Sequence, residues 1–456
     1  MNNEDFMNYE VHQSILNKNL KNIKKNLGMF FTPTRIIDFM LQLIDDKIIK
    51  NKDLTILEPA CGLAQFLIGI KKNNRSLFNR AKLFAVEINE DIINYLTNIN
   101  IGSNIRFFLC DYLFWEPNLH FDLIIGNPPY GIPSPSDHYA IKIDNSIKEK
   151  YKRLYETWYG KYNIYGAFIE KSIKLLGDNG QLIFIVPATF LILDEFKKLR
   201  IFLSQNGKTT IIYMGPDVFK PEADVSAVVL SFLKSKEVVS RLELLEYYHN
   251  NIKSIKVESN WHGEVIRFCS KWTQKIENLC PYKLGDIFEI KISPRTPEIK
   301  KSPLIIKEKI VNAEHLLPLL NGRNLKCNNI IYDNLTGYWI NKKDINKFRG
   351  FFHKQHIVVG MGFRGDGKVA AALDKRSFPW MGDVYHLLRK DSLFNKEFDL
   401  DDKEVVAYLN SNCVRRYIRE VFREITYHLS ISQLKSLPLP DKKAWQIIKK
   451  ERLFDE

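Results

Sequence analysis

Short runs of apolar, β-favouring residues recur in the first half of the chain, at 54–57, 83–86, 105–109, 123–125, 182–186, 210–214 and 227–232. Their apolarity is continuous rather than alternating. This predicts strands buried on both faces, and so a mostly parallel sheet covered by helices. Between them, 91–98, 165–176 and 194–203 carry apolar residues at helical spacing. Strands and helices alternating in this way specify a doubly wound, Rossmann-like α/β domain with a mostly parallel seven-stranded sheet.

Beyond about residue 235 that rhythm breaks. Charged and aromatic residues interleave with short strand-like runs at 337–340 and 357–359, and a glycine-rich turn occupies 360–367. An amphipathic helix is expected over 403–423, with Pro438 and Pro440 punctuating the segment after it. The pattern predicts a second, mixed α+β domain, with the boundary in the stretch 235–255. The resulting division is an N-terminal extension (1–27), a first domain (28–240) and a second domain (241–456).

Composition narrows the class. The 456 residues suffice for two or three domains, and 45% apolar with 26% charged residues is a globular balance. No apolar run approaches the roughly 18 residues that would span a bilayer, and the first 25 residues lack the apolar core of a signal peptide. A cytoplasmic protein is expected. The six cysteines (61, 110, 269, 280, 327 and 413) form no CxxC pair and have no histidine cluster beside them. Reduced thiols and no metal site are therefore expected. Charge is uneven: residues 1–240 hold 29 Lys+Arg against 26 Asp+Glu, and 241–456 hold 38 against 27, so +3 and +11. A basic second half suits a polyanion.

The candidate chemistry lies where strands end. In open α/β sheets, ligands bind beyond the carboxyl ends of the strands. The first four predicted strands end in Glu58, Glu87, Asp111 and Asn127. The first turn, Glu58-Pro59-Ala60-Cys61-Gly62, lacks the full GxGxxG pattern whose backbone amides cradle a pyrophosphate. Acids at these positions suit a ligand without phosphate that carries sulfonium and ammonium charges, S-adenosylmethionine, better than a dinucleotide. Glu58 would face the cation, Glu87 would accept the ribose hydroxyls and Asp111 would accept from an adenine amino group.

The fourth strand runs into Asn127-Pro128-Pro129-Tyr130. Two prolines stop a buried strand abruptly, which frees the Asn127 amide and the Pro128 carbonyl to enter the crevice. Two acceptors on the protons of a conjugated amine would favour a tetrahedral nitrogen with its lone pair aimed at a methyl donor, so that orientation and electrostatics carry catalysis. Tyr130 offers a face for stacking a target base, which must leave the duplex to react. Phe219 is the candidate for the opposite face.

These segments resemble the γ-class adenine-N6 DNA methyltransferases, and within them the TaqI-like branch. The likeness is carried by Phe31-Thr32-Pro33, Leu57-Glu58-Pro59-Ala60-Cys61, Val86-Glu87-Ile88, Asn127-Pro128-Pro129-Tyr130-Gly131, the run from Gly160 to Phe168, and Val186-Pro187-Ala188-Thr189. In the second half it is carried by Gly322-Arg323-Asn324-Leu325, the run from Lys368 to Ala372, and Phe378-Pro379-Trp380. The resemblance implies cofactor binding by Thr32, Glu58, Ala60, Glu87, Ile88, Asp111, Tyr112, Asn127 and Phe168, and catalysis by Asn127, Pro128, Tyr130 and Phe219. It implies a monomer acting on double-stranded DNA through a target-recognition domain at 241–456, with TCGA as a possible target. It also implies the methylase role in a type II restriction–modification system with a separate endonuclease. Two departures are Ala64-Gln65, where many relatives carry glycine, and Pro216, an extra residue before Phe219. Cytosine N4 and the amide of a protein glutamine remain alternative acceptors, because the Asn-Pro-Pro-Tyr signature serves both. A specificity subunit on an inactive methyltransferase fold is the alternative of another class.

Overall fold

The computed structural model describes residues 31–450 apart from 100, 136–140, 221–224, 236–239, 249–250, 308–313, 363–368, 392–396, 424 and 427. The expected 1–27 extension and positions 363–367 of the glycine-rich turn lie outside these residues. The chain divides into two compact units between Phe268 and Cys269.

The first unit is built on nine strands: β1 (Thr55–Pro59), β2 (Lys82–Glu87), β3 (Ile105–Leu109), β4 (Phe121–Gly126), β7 (Leu176–Pro187), β8 (Gly207–Gly215), β9 (Ala227–Lys234), β10 (Arg241–Tyr248) and β11 (Asn251–Glu258). Two-residue strands β5 (Pro133–Ser134) and β6 (Ile141–Lys142) pair separately. The large sheet has the order β11-β10-β8-β9-β7-β4-β1-β2-β3. Strands β1 to β4 and β7 are parallel, while β9 is antiparallel to both neighbours, β7 and β8. All seven expected runs fall on these strands. The β8–β9 ladder skips one residue, Met214, close to the extra Pro216.

The edge pair β10 and β11 goes beyond expectation and moves the boundary from 240 to 268. β10 is parallel to β8, and β11 is antiparallel to β10. In β10 charged and apolar residues alternate, as in Arg241-Leu242-Glu243-Leu244, because the strand buries one face only, and the edge strand β11 has no buried residue. That pattern differs from the continuous apolarity that marks the central strands. The stretch after β11 stays tied to the same unit. Trp261 N–H donates to Ser240 O, Ile266 N–H donates to Leu191 O, and the buried Arg200 guanidinium donates to Phe190, Leu193 and Gly263 carbonyls.

Helix α1 (Thr34–Leu41) comes directly after Phe31-Thr32-Pro33 and buries Ile36, Ile37, Phe39 and Met40. It packs on α2 (Gln65–Asn73) at Gly69, where a Cβ would come 2.8 Å from Ile37 Cγ2, so only glycine permits this approach without a shift. Helices α3 (Asn145–Leu154), α4 (Tyr165–Leu175) and α5 (Lys197–Asn206) come next among those that bear on the site. The expected helix at 194–203 starts as a 3-10 turn, Asp194–Phe196, before α5. The order of strands reverses between β1 and β4, and a crevice opens at their carboxyl ends.

The second unit has a four-stranded antiparallel sheet of β12 (Phe288–Ile292), β13 (His356–Gly360), β14 (Ala371–Asp374) and β15 (Val384–Arg389), in the order β12-β15-β13-β14. The helix expected over 403–423 is two helices, α6 (Asp402–Leu409) and α7 (Asn412–Phe422). Asn410 makes the break. Its amide oxygen accepts from Ala371 N–H and its amide nitrogen donates to Ala371 O, each at 2.9 Å, and Ser411 then caps α7. Apolar spacing runs through the break, so periodicity alone could not reveal it.

Candidate functional site

The polar strand ends converge on a cavity of about 210 Å³. Thr32, Glu58, Ala60, Glu87, Ile88, Asp111, Tyr112, Asn127, Pro128 and Phe168 all line it, together with Phe31, Cys61, Lys142, Tyr151 and Ile164. A parallel sheet brings this about because all its carboxyl ends share one edge.

Each acid is held by backbone. Glu58 is buried, and its two oxygens accept the N–H groups of Phe66 and Leu67 at 3.2 and 3.1 Å, which caps the first turn of α2. It thereby anchors the helix while still lining the cavity. Glu87 accepts from Gly62, Ile88 and Asn89 N–H at 2.9, 2.9 and 3.0 Å. Three of its roughly four acceptor positions are thus engaged. Burial pushes the Glu58 carboxyl up to about 8, despite its two amide bonds and helped by the charge of Glu87. Burial raises Glu87 as well. Among the described residues neither carboxylate has an ion-pair partner. A buried acid pair of this kind suits a cationic ligand.

The turn after β1 is tight. Ala60, Gly62 and Ala64 all lie at left-handed φ, +49°, +51° and +54°. Ala64, in the Ala64-Gln65 departure from the family pattern, takes this conformation with a side chain present, at a cost of roughly 1–2 kcal/mol.

Asp111 accepts Leu113 N–H through Oδ1 at 2.9 Å, while the Tyr151 hydroxyl donates to Oδ2 at 2.5 Å. Tyr151 lies on α3, where it is the one buried residue, and nothing in the sequence pattern marked it. The Tyr112 ring lies 5.0 Å from Phe168, and its hydroxyl bonds Ser172 Oγ at 2.8 Å. Ile88, 55% exposed, adds an apolar face at the same cavity. Aromatic and aliphatic surfaces beside acceptors fit a flat heterocycle.

Asn127 comes immediately after β4. Its Nδ2 donates to Thr32 Oγ1 at 3.0 Å, joining the segment before α1 to the fourth strand and orienting the amide. Tyr130 and Phe219 also meet, but edge to face, with centroids 5.7 Å apart and planes at 75°. Tyr130 is buried, and its hydroxyl donates to Ile185 O at 2.9 Å. Neither ring lines the cavity, so the expected pair of parallel stacking faces is not present in this conformation.

Residues 47–219 match the Eco57I restriction-modification methylase family, and residues 317–439 match the TaqI-like C-terminal specificity domain. The type II methyltransferase M.TthHB8I of Thermus thermophilus is 37% identical over 92% of this chain and 92% of its own length. The chain belongs to the type II methyltransferases with a TaqI-like specificity domain. M.HincII of Haemophilus influenzae, another type II methyltransferase, is 34% identical, over 47% of this chain and 39% of its own. Among solved structures, the DrdV–DNA complex gives a TM-score of 0.57 over 99% of this chain and 60% of that one, at 13% identity. DNA-bound LlaBIII gives 0.57 over 98% and 40%, at 14%. At such identities these two establish the fold alone.

In the specificity domain, the distinctive segments form frame. Buried Asn324 donates to Ile331 O and Asp333 O at 2.7 and 2.8 Å, and its side-chain oxygen accepts from Asn321 N–H. Trp380 donates through Nε1 to Asp374 at 2.8 Å and packs with Leu320, Leu325, Val358 and Ala372. Among the described residues of this methyltransferase, no helix is long and apolar enough to cross a membrane.

Proposed function

We propose that this methyltransferase transfers the methyl group of S-adenosylmethionine to N6 of an adenine turned out of duplex DNA. In this reading it is the modifying enzyme of a type II restriction–modification system, a monomer with TCGA as its candidate target. The carrying observation is that Asn127, fixed by Thr32, lines the same cavity as Glu87, Asp111 and Phe168.

The donor set fits the cofactor. Glu58 ionises beside a positive charge, Glu87 accepts from ribose hydroxyls, Asp111 accepts from an amino group, and Phe168 and Ile88 offer apolar contact to a ring. Bound there, S-adenosylmethionine would supply an electrophilic methyl on sulfur. The Asn127 side-chain oxygen and the Pro128 carbonyl act as acceptors for the two amine protons, which withdraws the lone pair from conjugation. Catalysis then comes from orientation and charge placement. Tyr130 and Phe219 must separate from their edge-to-face contact to hold a base, so base capture includes a rearrangement of this pair.

Single-molecule sequencing of DNA from a methylation-free host expressing the chain tests the reading. The expected result is N6-methyladenine at one short motif. Methylation at cytosine N4, incorporation into protein alone, or unmodified DNA would each overturn it.

A further inference from the structure

We infer that an open basic cavity in the specificity domain, between the 325–330 hairpin, β14 and α6, holds a backbone phosphate of duplex DNA; this rests on the function proposed above. The cavity measures about 460 Å³, and Asn328, Asn329, Tyr332, Lys375, Arg376 and Lys403 contribute to its lining. Three of these are cations, and among the described residues no acid lines it. The unit to which it belongs, residues 269–456, holds 34 Lys+Arg against 23 Asp+Glu, the whole +11 excess of the second half.

The cations sit on a fixed frame. The strand-end carboxylate of Asp374 is fully buried and has five donors: the N–H groups of Arg376, Ser377 and Phe378, the Tyr332 hydroxyl and Trp380 Nε1. These bonds set the turn that presents Lys375 and Arg376, and they set the Tyr332 ring. The Arg376 guanidinium lies over that ring, 4.6 Å from its centroid. Asn410 closes the frame by bonding Ala371 and Asn328. A guanidinium held over an aromatic ring is preorganised for two-pronged contact with phosphate. A phosphate carries the negative charge that three clustered cations neutralise, whereas a base edge is uncharged, which favours the backbone.

The test is binding of the full chain to duplexes with and without the methylated motif, across a salt series. Arg376→Ala and Lys403→Ala should each make the salt dependence shallower, and Arg376→Lys should preserve it. The full loss expected for one phosphate is about 0.9 in the slope of log K against log salt, equal on both duplexes. Unchanged slopes in both alanine variants would overturn the assignment, as would a loss confined to the duplex carrying the motif. Inorganic phosphate raising the melting temperature of wild type but not of Arg376→Ala, with DNA slopes unchanged, would assign the cavity to free phosphate and likewise overturn it. Lys403 makes no bond to Asp374, so Lys403→Ala decides the matter if Arg376→Ala does not fold. Failure of the wild-type chain to bind DNA would sink the functional reading, whereas normal wild-type binding with unchanged variants would sink this site alone.

Discussion

The two halves of the molecule use polar residues in opposite ways. In the first unit, the polar residues at the ends of β1, β2, β3 and β4 gather at one cavity, so the acids and the amide that stand out in the sequence line it. In the specificity domain, the polar residues in and beside the distinctive segments, Asn324 and Asp374, are buried and bonded to backbone and side chains of their own unit. The difference arises from topology. A parallel sheet has one edge where every strand delivers its next residue, so chemistry repeats with the strands. An antiparallel sheet of short strands has no such edge. Its polar residues hold turns, and the surface that meets a partner is carried by neighbours such as Lys375 and Arg376.

The largest effect is expected at Asn127. Removing its side chain takes away one of two proposed acceptors, and Asn127→Ala should lower kcat on the order of 10²–10³-fold, with cofactor binding retained. Methyl incorporation into duplex DNA measures this, and turnover near the wild-type rate would return Asn127 to a packing role. Asp374→Ala should act through stability. It strands five donors, and a loss of about 3 kcal/mol is expected, read in denaturant melts as early unfolding of the specificity domain. A wild-type melt would mean that the frame does not depend on this carboxylate. Tyr151→Phe removes one hydrogen bond from Asp111 and should weaken cofactor binding by about 1 kcal/mol, measured by calorimetry. An unchanged affinity would leave Tyr151 with packing alone.

The smallest effect is a pH dependence at Glu58. Its carboxyl is raised to about 8 by burial, so it is largely neutral at pH 7 and ionises as pH rises through 8. Because the folded value lies above the unfolded one, the ligand-free protein loses stability across the interval from 4.5 up through 8. A cation in the cavity favours the ionised form, so cofactor affinity should rise across pH 7–8.5, and Glu58→Gln should flatten that rise. A wild-type affinity that falls over this interval would remove Glu58 from any role toward the cation.

By itself the sequence determined the doubly wound sheet, the seven central runs and the placement of Thr32, Glu58, Glu87, Asp111, Asn127 and Phe168 at one site. Buried parallel strands leave a continuous apolar signature, and their ends are defined by it. Tertiary structure alone decided the rest. Strands β10 and β11, at the side of the sheet, are largely exposed, so their pattern looks like that of a second domain, and the ladder to β8 and the Tyr247 ring against Phe39 join them to the first. The break between α6 and α7 depends on Asn410 finding Ala371, 39 residues away. Tyr151 reaches Asp111 across 40 residues, and the edge-to-face contact of Tyr130 with Phe219 depends on packing between distant loops. Contacts of this kind leave no periodicity in the chain, because they are fixed by where elements dock rather than by what each element is.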